Sequence, residues 1–160
     1  WKDVGTLESL WDANMDMLAP ESGLDLRDRS WPIYARSISA PPAFMGGKST
    51  VTHSAVNRGS VLEGLVENSV LSPNVTVGEG AAVRYSGLFP GVEVAPGAVV
   101  EYAILGENCK IGPGCRVGGT PENTLSGWGL TVLAPGCELP EGKDAKAGIM
   151  LSRSGEEVSK

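Results

Sequence analysis

Between Val77 and Val117, aliphatic residues recur at steps of five and six, with polar or small residues between them. Val77, Val83, Leu88, Val94, Val100, Leu105, Ile111 and Val117 set the register, and Val61, Val66 and Leu71 extend it upstream. Such a step does not match the 3.6-residue period of an amphipathic helix, and the runs between glycines are too short for ordinary sandwich strands. A longer period overlies the short one. "VGEGA", "VAPGA" and "IGPGC" place Gly80, Gly97 and Gly114 at a constant spacing of 17, each followed by alanine or cysteine. Downstream, "LAPGCEL" brings Leu133, Gly136, Cys137 and Leu139 after an interval of 22. The five extra residues are expected in "GGTPENTLSGWGL", whose Gly, Pro and Asn content reads as a protruding loop.

Short rungs repeated around one axis satisfy both periods. The pattern predicts an all-β domain, a single-stranded parallel β-helix whose turns have three faces and cover one another's apolar side. The glycines suit tight corners with positive φ, and the small residue after each leaves room where faces meet. Valine, leucine and isoleucine then point inward, each stabilising by roughly 1.5–3 kcal/mol when buried. The periodicity does not set the hand of the coil. Resemblance to hexapeptide-repeat proteins implies a left-handed one, against the usual preference of parallel strand connections.

The chain before the repeat is patterned differently. In "TLESLWDANMDMLAP", Leu7, Leu10, Trp11, Met15 and Leu18 fall near helical spacing, with Thr6 as N-cap and Pro20 beyond the end, which predicts an amphipathic α-helix. Residues 20–50, with paired prolines and glycines, read as an extended linker into a solenoid spanning 51–152, and 153–160 read as a solvated tail. The start at Trp1, without methionine, reads as a cut within a strand that leads into the helix.

Composition narrows the function. With 13 Lys and Arg against 19 Asp and Glu, the net charge of −6 argues against nucleic acid as a partner. No apolar stretch is long enough to span a bilayer as a helix and no signal peptide is evident, so the expected location is cytoplasmic. Cys109, Cys115 and Cys137 occupy repeat positions and read as reduced, buried small hydrophobes rather than as a disulfide or metal site. His53 is the single histidine and stands at the start of the solenoid. An acyltransferase built on such repeats would use a histidine base, whereas a zinc site of three histidines cannot be assembled from one per chain.

Three blocks in order, "WKDVGTLESLWDANMDML", "WPIYA" with "APP", and the repeats beginning "VLEGLVENSVLSPNVTVGEGAAV", resemble the C-terminal part of the bacterial glucose-1-phosphate adenylyltransferases. The resemblance covers residues 1 to about 140. It implies that residues 1–19 are the last strand end and helix of a nucleotidyltransferase domain. It further implies an enzyme that joins ATP and glucose-1-phosphate into ADP-glucose and pyrophosphate for glycogen synthesis, with Mg²⁺ as cofactor. Asp3 of "WKDVGT" matches the metal-binding Asp of that family's motif. The alternative is a carboxylate that favours the N-terminus of the following helix. The nucleotide loop and the sugar-phosphate residues are not in this chain, so the fragment alone is expected to be inactive and to bind no cofactor. The same resemblance implies homotetramer assembly through the β-helix and allosteric control by an anionic metabolite, for which Arg84, Lys110, Arg116 and Lys143 are the candidate cations. A hexapeptide acyltransferase and a non-catalytic regulatory paralogue are the alternative readings.

Overall fold

The computed structural model describes residues 2–19, 23, 28–32, 39–120 and 129–158. From Phe44 onward the chain winds into a parallel β-solenoid of about six turns, and the helix Leu7–Asp16 precedes it. The first face is a six-stranded sheet of Phe44–Met45, Val61–Leu62, Thr76–Val77, Glu93–Val94, Lys110–Ile111 and Glu138–Leu139. The second face stacks Thr50–Thr52, Leu65–Glu67, Ala82–Arg84, Val99–Glu101 and Arg116–Gly118. The third runs through Ala55–Val56, Val70–Leu71, Gly87–Leu88, Ala103–Leu105, Thr131–Leu133 and Met150–Leu151, and it ends in Glu157–Val158, which pairs antiparallel. Pairing therefore begins inside the 20–50 stretch and continues into the 153–160 stretch.

The inward column has the predicted composition. From Val77 to Val117 its eight members are each no more than 2% exposed. Of thirteen expected inward positions, only Val61 faces out, at 39% exposure, and Leu62 is fully buried in its place. The reason is a shorter turn. Leu62 pairs with Val77 and Val77 pairs with Val94, so the earlier turn is two residues shorter than the next. The inward step from Leu62 to Val66 is four, and a frame of fives and sixes lands one position early, on Val61. A displacement of one along a strand moves a side chain to the opposite side of the sheet.

The interval of 22 also needs correction. Ile111 pairs with Leu139 whereas Val94 pairs with Ile111, so the insertion lengthens the turn by eleven residues rather than five. It lies between Gly118 and Thr131, as expected, and residues 121–128 of it fall outside the described residues. Consequently Gly136 occupies the corner of Asn108 (φ 57°), and Gly142 takes the place of Gly114. Gly80, Gly97, Gly114 and Gly142 all have φ between 67° and 78°, a corner conformation in which a Cβ is strained.

A second corner adopts positive φ without glycine. His53, Asn68, Tyr85 and Tyr102, with φ of 44–47°, stand between the second and third faces. Left-handed conformations cost about 1–2 kcal/mol per non-glycine residue, and a hydroxyl ladder beside them offsets that cost. Ser54, Ser69 and Ser86 each donate to the carbonyl two residues back, and each accepts an amide N–H from the next turn, at 2.8–3.1 Å. The ladder stops at Ala103, immediately before the turn that carries the insertion. Thr131 resumes it, accepting from the Gly148 amide at 3.0 Å.

Candidate functional site

The helix is built as its sequence predicts. Thr6 Oγ1 accepts from the Ser9 amide at 3.1 Å while Ser9 Oγ accepts from the Thr6 amide at 3.0 Å, a reciprocal cap that satisfies two otherwise orphaned donors. Its apolar stripe, Leu7, Leu10, Trp11 and Met15, lies on the outside of the third face against Ile104, Leu130, Val132 and Met150. Leu18 falls in the turn after the helix, and Pro20 is outside the described residues. Trp11 is the anchor. Its indole N–H donates to the Tyr85 carbonyl at 2.7 Å, and its ring stacks at 6.1 Å on Tyr102, which in turn stacks at 4.8 Å on Tyr85. Burial, then the nearby Tyr85 and Glu101, raises the Tyr102 phenol above its ordinary pKa. Sequence reasoning misses Tyr85 and Tyr102. The recurring dipeptides His53-Ser54, Asn68-Ser69 and Tyr85-Ser86 carry the signal of this corner, but at intervals of 15 and 17 that the glycine frame obscures.

Asp3 lies in the extended run before Thr6 and is exposed. Its carboxylate has no hydrogen bond or ion pair among the described residues, so both oxygens are open to a ligand. The neighbouring Lys2 is occupied: it donates to Asp16 Oδ2 at 2.7 Å and approaches Asp12 at 4.0 Å, which ties the run to the helix. Among the described residues no three His, Cys, Asp or Glu side chains cluster as a metal site. A free carboxylate is the donor type Mg²⁺ takes, and that ion commonly uses only one or two of them beside phosphate oxygens and water. Asp3 fits as one such ligand and supplies no more than one.

The other candidates are scattered. His53 is exposed, and its Nδ1 lies 2.7 Å from Asn68 Oδ1. Arg84 is held between carboxylates, 2.9 Å from Glu101 and 3.6 Å from Glu67. Lys110 pairs with Glu138 at 3.5 Å. Arg116 and Lys143 are exposed and carry no ion pair among the described residues. Lys110 and Lys143 border a depression of about 890 Å³ on the first face, but Glu93, Glu138 and Glu141 border it too, so its charge is mixed. Cys109, Cys115 and Cys137 are buried free thiols. Cys109 and Cys115 donate to the Ala134 and Pro140 carbonyls at 3.2 Å, and burial pushes the Cys109 thiol up to about 11.

No described helix is long and apolar enough to cross a membrane. Over 84 residues the chain is homologous to the C-terminal hexapeptide region of glucose-1-phosphate adenylyltransferase, with 51% identity to the enzyme of Geobacillus stearothermophilus. The Bacillus mycoides enzyme is likewise 51% identical over 83 residues. Each alignment covers 52% of this chain and only 22% of the relative, so the match spans about a fifth of those enzymes. Among solved structures, perosamine N-acetyltransferase from Caulobacter crescentus, in complex with CoA and GDP-perosamine, superposes with a TM-score of 0.63 at 16% identity, over 75% of this chain and 55% of that one. The acetyltransferase domain of PglB from Neisseria gonorrhoeae, in complex with acetyl coenzyme A, gives 0.55 at 22% identity, over 76% and 58%. At such identities the likeness is one of fold. Residues 41–137 match the family described as GlmU-like, C-terminal hexapeptide, and the chain belongs to that family.

Proposed function

We propose that this chain is the C-terminal assembly and regulatory part of a glucose-1-phosphate adenylyltransferase, a cytoplasmic enzyme of glycogen synthesis. The observation that carries the reading is the 51% identity over 84 residues to enzymes of that name. In the proposed reaction, a phosphate oxygen of glucose-1-phosphate attacks the α-phosphorus of ATP, and pyrophosphate leaves. Mg²⁺, when bound, offsets the charge shared by the attacking and leaving oxygens. Asp3 would supply one carboxylate to it, and Lys2, paired with Asp16, steadies the run on which Asp3 stands. The chain's larger share is structural. The solenoid offers flat faces for homotetramer contacts, and an anionic metabolite would act through exposed cations, of which Arg116 and Lys143 are free of ion pairs among the described residues.

The decisive experiment compares this chain with a longer protein carrying the nucleotidyltransferase domain. With ATP, glucose-1-phosphate and Mg²⁺, the longer protein should form ADP-glucose, and residues 1–160 should form none. In the longer protein Asp3→Asn keeps the side-chain size but removes charge, so turnover should fall at least tenfold at limiting Mg²⁺, with assembly unchanged by sedimentation. Full activity of Asp3→Asn would remove Asp3 from the metal site. Absence of ADP-glucose synthesis by the longer protein, with the tetramer intact, would favour the regulatory paralogue.

A further inference from the structure

We propose that the helix Leu7–Asp16 is a releasable strap on the third face, and that the Tyr85–Tyr102 stack is the catch that holds it through Trp11. The two apolar clusters among the described residues are disjoint. One fills the solenoid from Leu62 to Leu151 and includes no helix residue; the other lies outside the third face, and Trp11 is the single helix residue that is buried. Removing the helix therefore leaves the inner column and every ladder hydrogen bond in place. The helix is also short. Ten residues are too few for a stable isolated helix in water, so its folding depends on docking.

The ion pairs of this segment between described residues are weak and local. Lys2 pairs with Asp12 and Asp16 within the same segment, and those side chains are 40–49% exposed. Exposed ion pairs of this kind add little. Among the described residues, the strap is fastened to the solenoid by the indole hydrogen bond to Tyr85, the ring stack on Tyr102, and the apolar stripe. The catch is built at a conformational cost. Positive φ is uncommon for a bulky residue, yet the corner uses tyrosine twice in succession where asparagine serves one turn earlier. Strain retained at a site is an indication of function. Here the two rings form a platform that asparagine or glycine could not supply.

Sub-global opening of such a unit is an ordinary property of proteins, since elements with few buried contacts open below the global unfolding free energy. Opening would free the run that bears Asp3 from the solenoid. In that respect the strap rests on the proposed function, as the link through which a state of the solenoid reaches the nucleotidyltransferase part. The strap itself is measured without any enzymatic activity, so its failure and the failure of the functional reading are separable.

The test is amide hydrogen exchange on the whole chain, followed by mass spectrometry in low concentrations of urea. Peptides covering 7–16 should exchange at least a hundredfold faster than those covering 98–105, with little dependence on urea, while the latter track global unfolding. Trp11→Ala and Tyr102→Ala should each speed exchange of the helix at least tenfold and leave the solenoid peptides at their original rate. Tyr102→Phe, which keeps the ring, should match the wild type. A single rate and a single urea dependence for helix and solenoid would overturn the proposal, because the two would then be one cooperative unit. So would fast helix exchange that neither alanine variant alters, since the catch would lie elsewhere.

Discussion

The inner column and the outer cluster on the third face are both apolar, and they are made in opposite ways. Inside, valine, leucine and isoleucine repeat in register through each turn, and almost any one of them meets copies of itself above and below. Outside, Trp11, Tyr85 and Tyr102 bring together three rings from one helix and two successive corners, and no repeat relates the tryptophan to the tyrosines. Stacked repeats share stability between neighbours, so a defect in the column spreads along the axis. A defect in the outer cluster has no such path.

Val100→Asp separates the two regions most sharply. Val100 is fully buried at the middle of the column, between Val83 and Val117. An unpaired carboxylate there costs several kcal/mol, or far more if it stays ionised. Loss of the cooperative thermal transition and of the β-type circular dichroism is expected. A melt unchanged from wild type would show that the column does not carry the fold.

A smaller effect of the inner column should appear with alkali. Burial raises the Cys109 thiol to about 11 and also raises Cys137, whereas an unfolded cysteine titrates near 9. The unfolded chain therefore loses these protons first. Stability should be level below about pH 8 and fall between pH 9 and 11, by roughly 1.4 kcal/mol per pH unit for one fully shifted thiol. The melting temperature followed across that range should decline less steeply in Cys109→Ala. An identical slope in the variant would mean that other groups, such as lysines and tyrosines, govern the alkaline limit.

The same contrast explains what can be read from the sequence. The column is legible because burial on a solenoid imposes a period, and Val83, Leu88, Val94 and Val100 all sit where that period puts them. Val61 and Gly136 are misplaced because successive turns differ in length, and a fixed frame cannot follow an insertion whose size is set only by strand pairing. The helix is legible from its cap and stripe, but its seat is not. Contact between Trp11 and Tyr85, far apart in the chain, leaves no local pattern. Among the candidate site residues, Asp3 is singled out by its motif, and its open carboxylate is compatible with that assignment. Arg84 and Lys110 are indistinguishable in sequence from Arg116 and Lys143, because a cation's partner on the next turn lies a whole winding further along the chain.

The smallest expected effect concerns Arg84, which belongs to neither apolar region. It bridges Glu67 and Glu101 on the outer side of the second face, and its side chain is 34% exposed. Partial solvation limits such a pair to about 1 kcal/mol or less. Arg84→Gln should therefore lower the melting temperature by a few degrees at most, less in high salt, and a cycle with Glu101→Gln should recover most of the loss. The two glutamates also restrict what Arg84 can do for a ligand. An anionic metabolite must compete with two carboxylates already within 4 Å of the guanidinium, whereas Arg116 and Lys143 face no such competitor among the described residues. Binding of a sugar phosphate, followed by calorimetry on the longer protein, should weaken with Lys143→Ala or Arg116→Ala and change less than twofold with Arg84→Gln. A larger loss in Arg84→Gln than in either of the others would mean that the glutamates release the guanidinium when the ligand arrives, and that the second face, rather than the free cations, receives the effector.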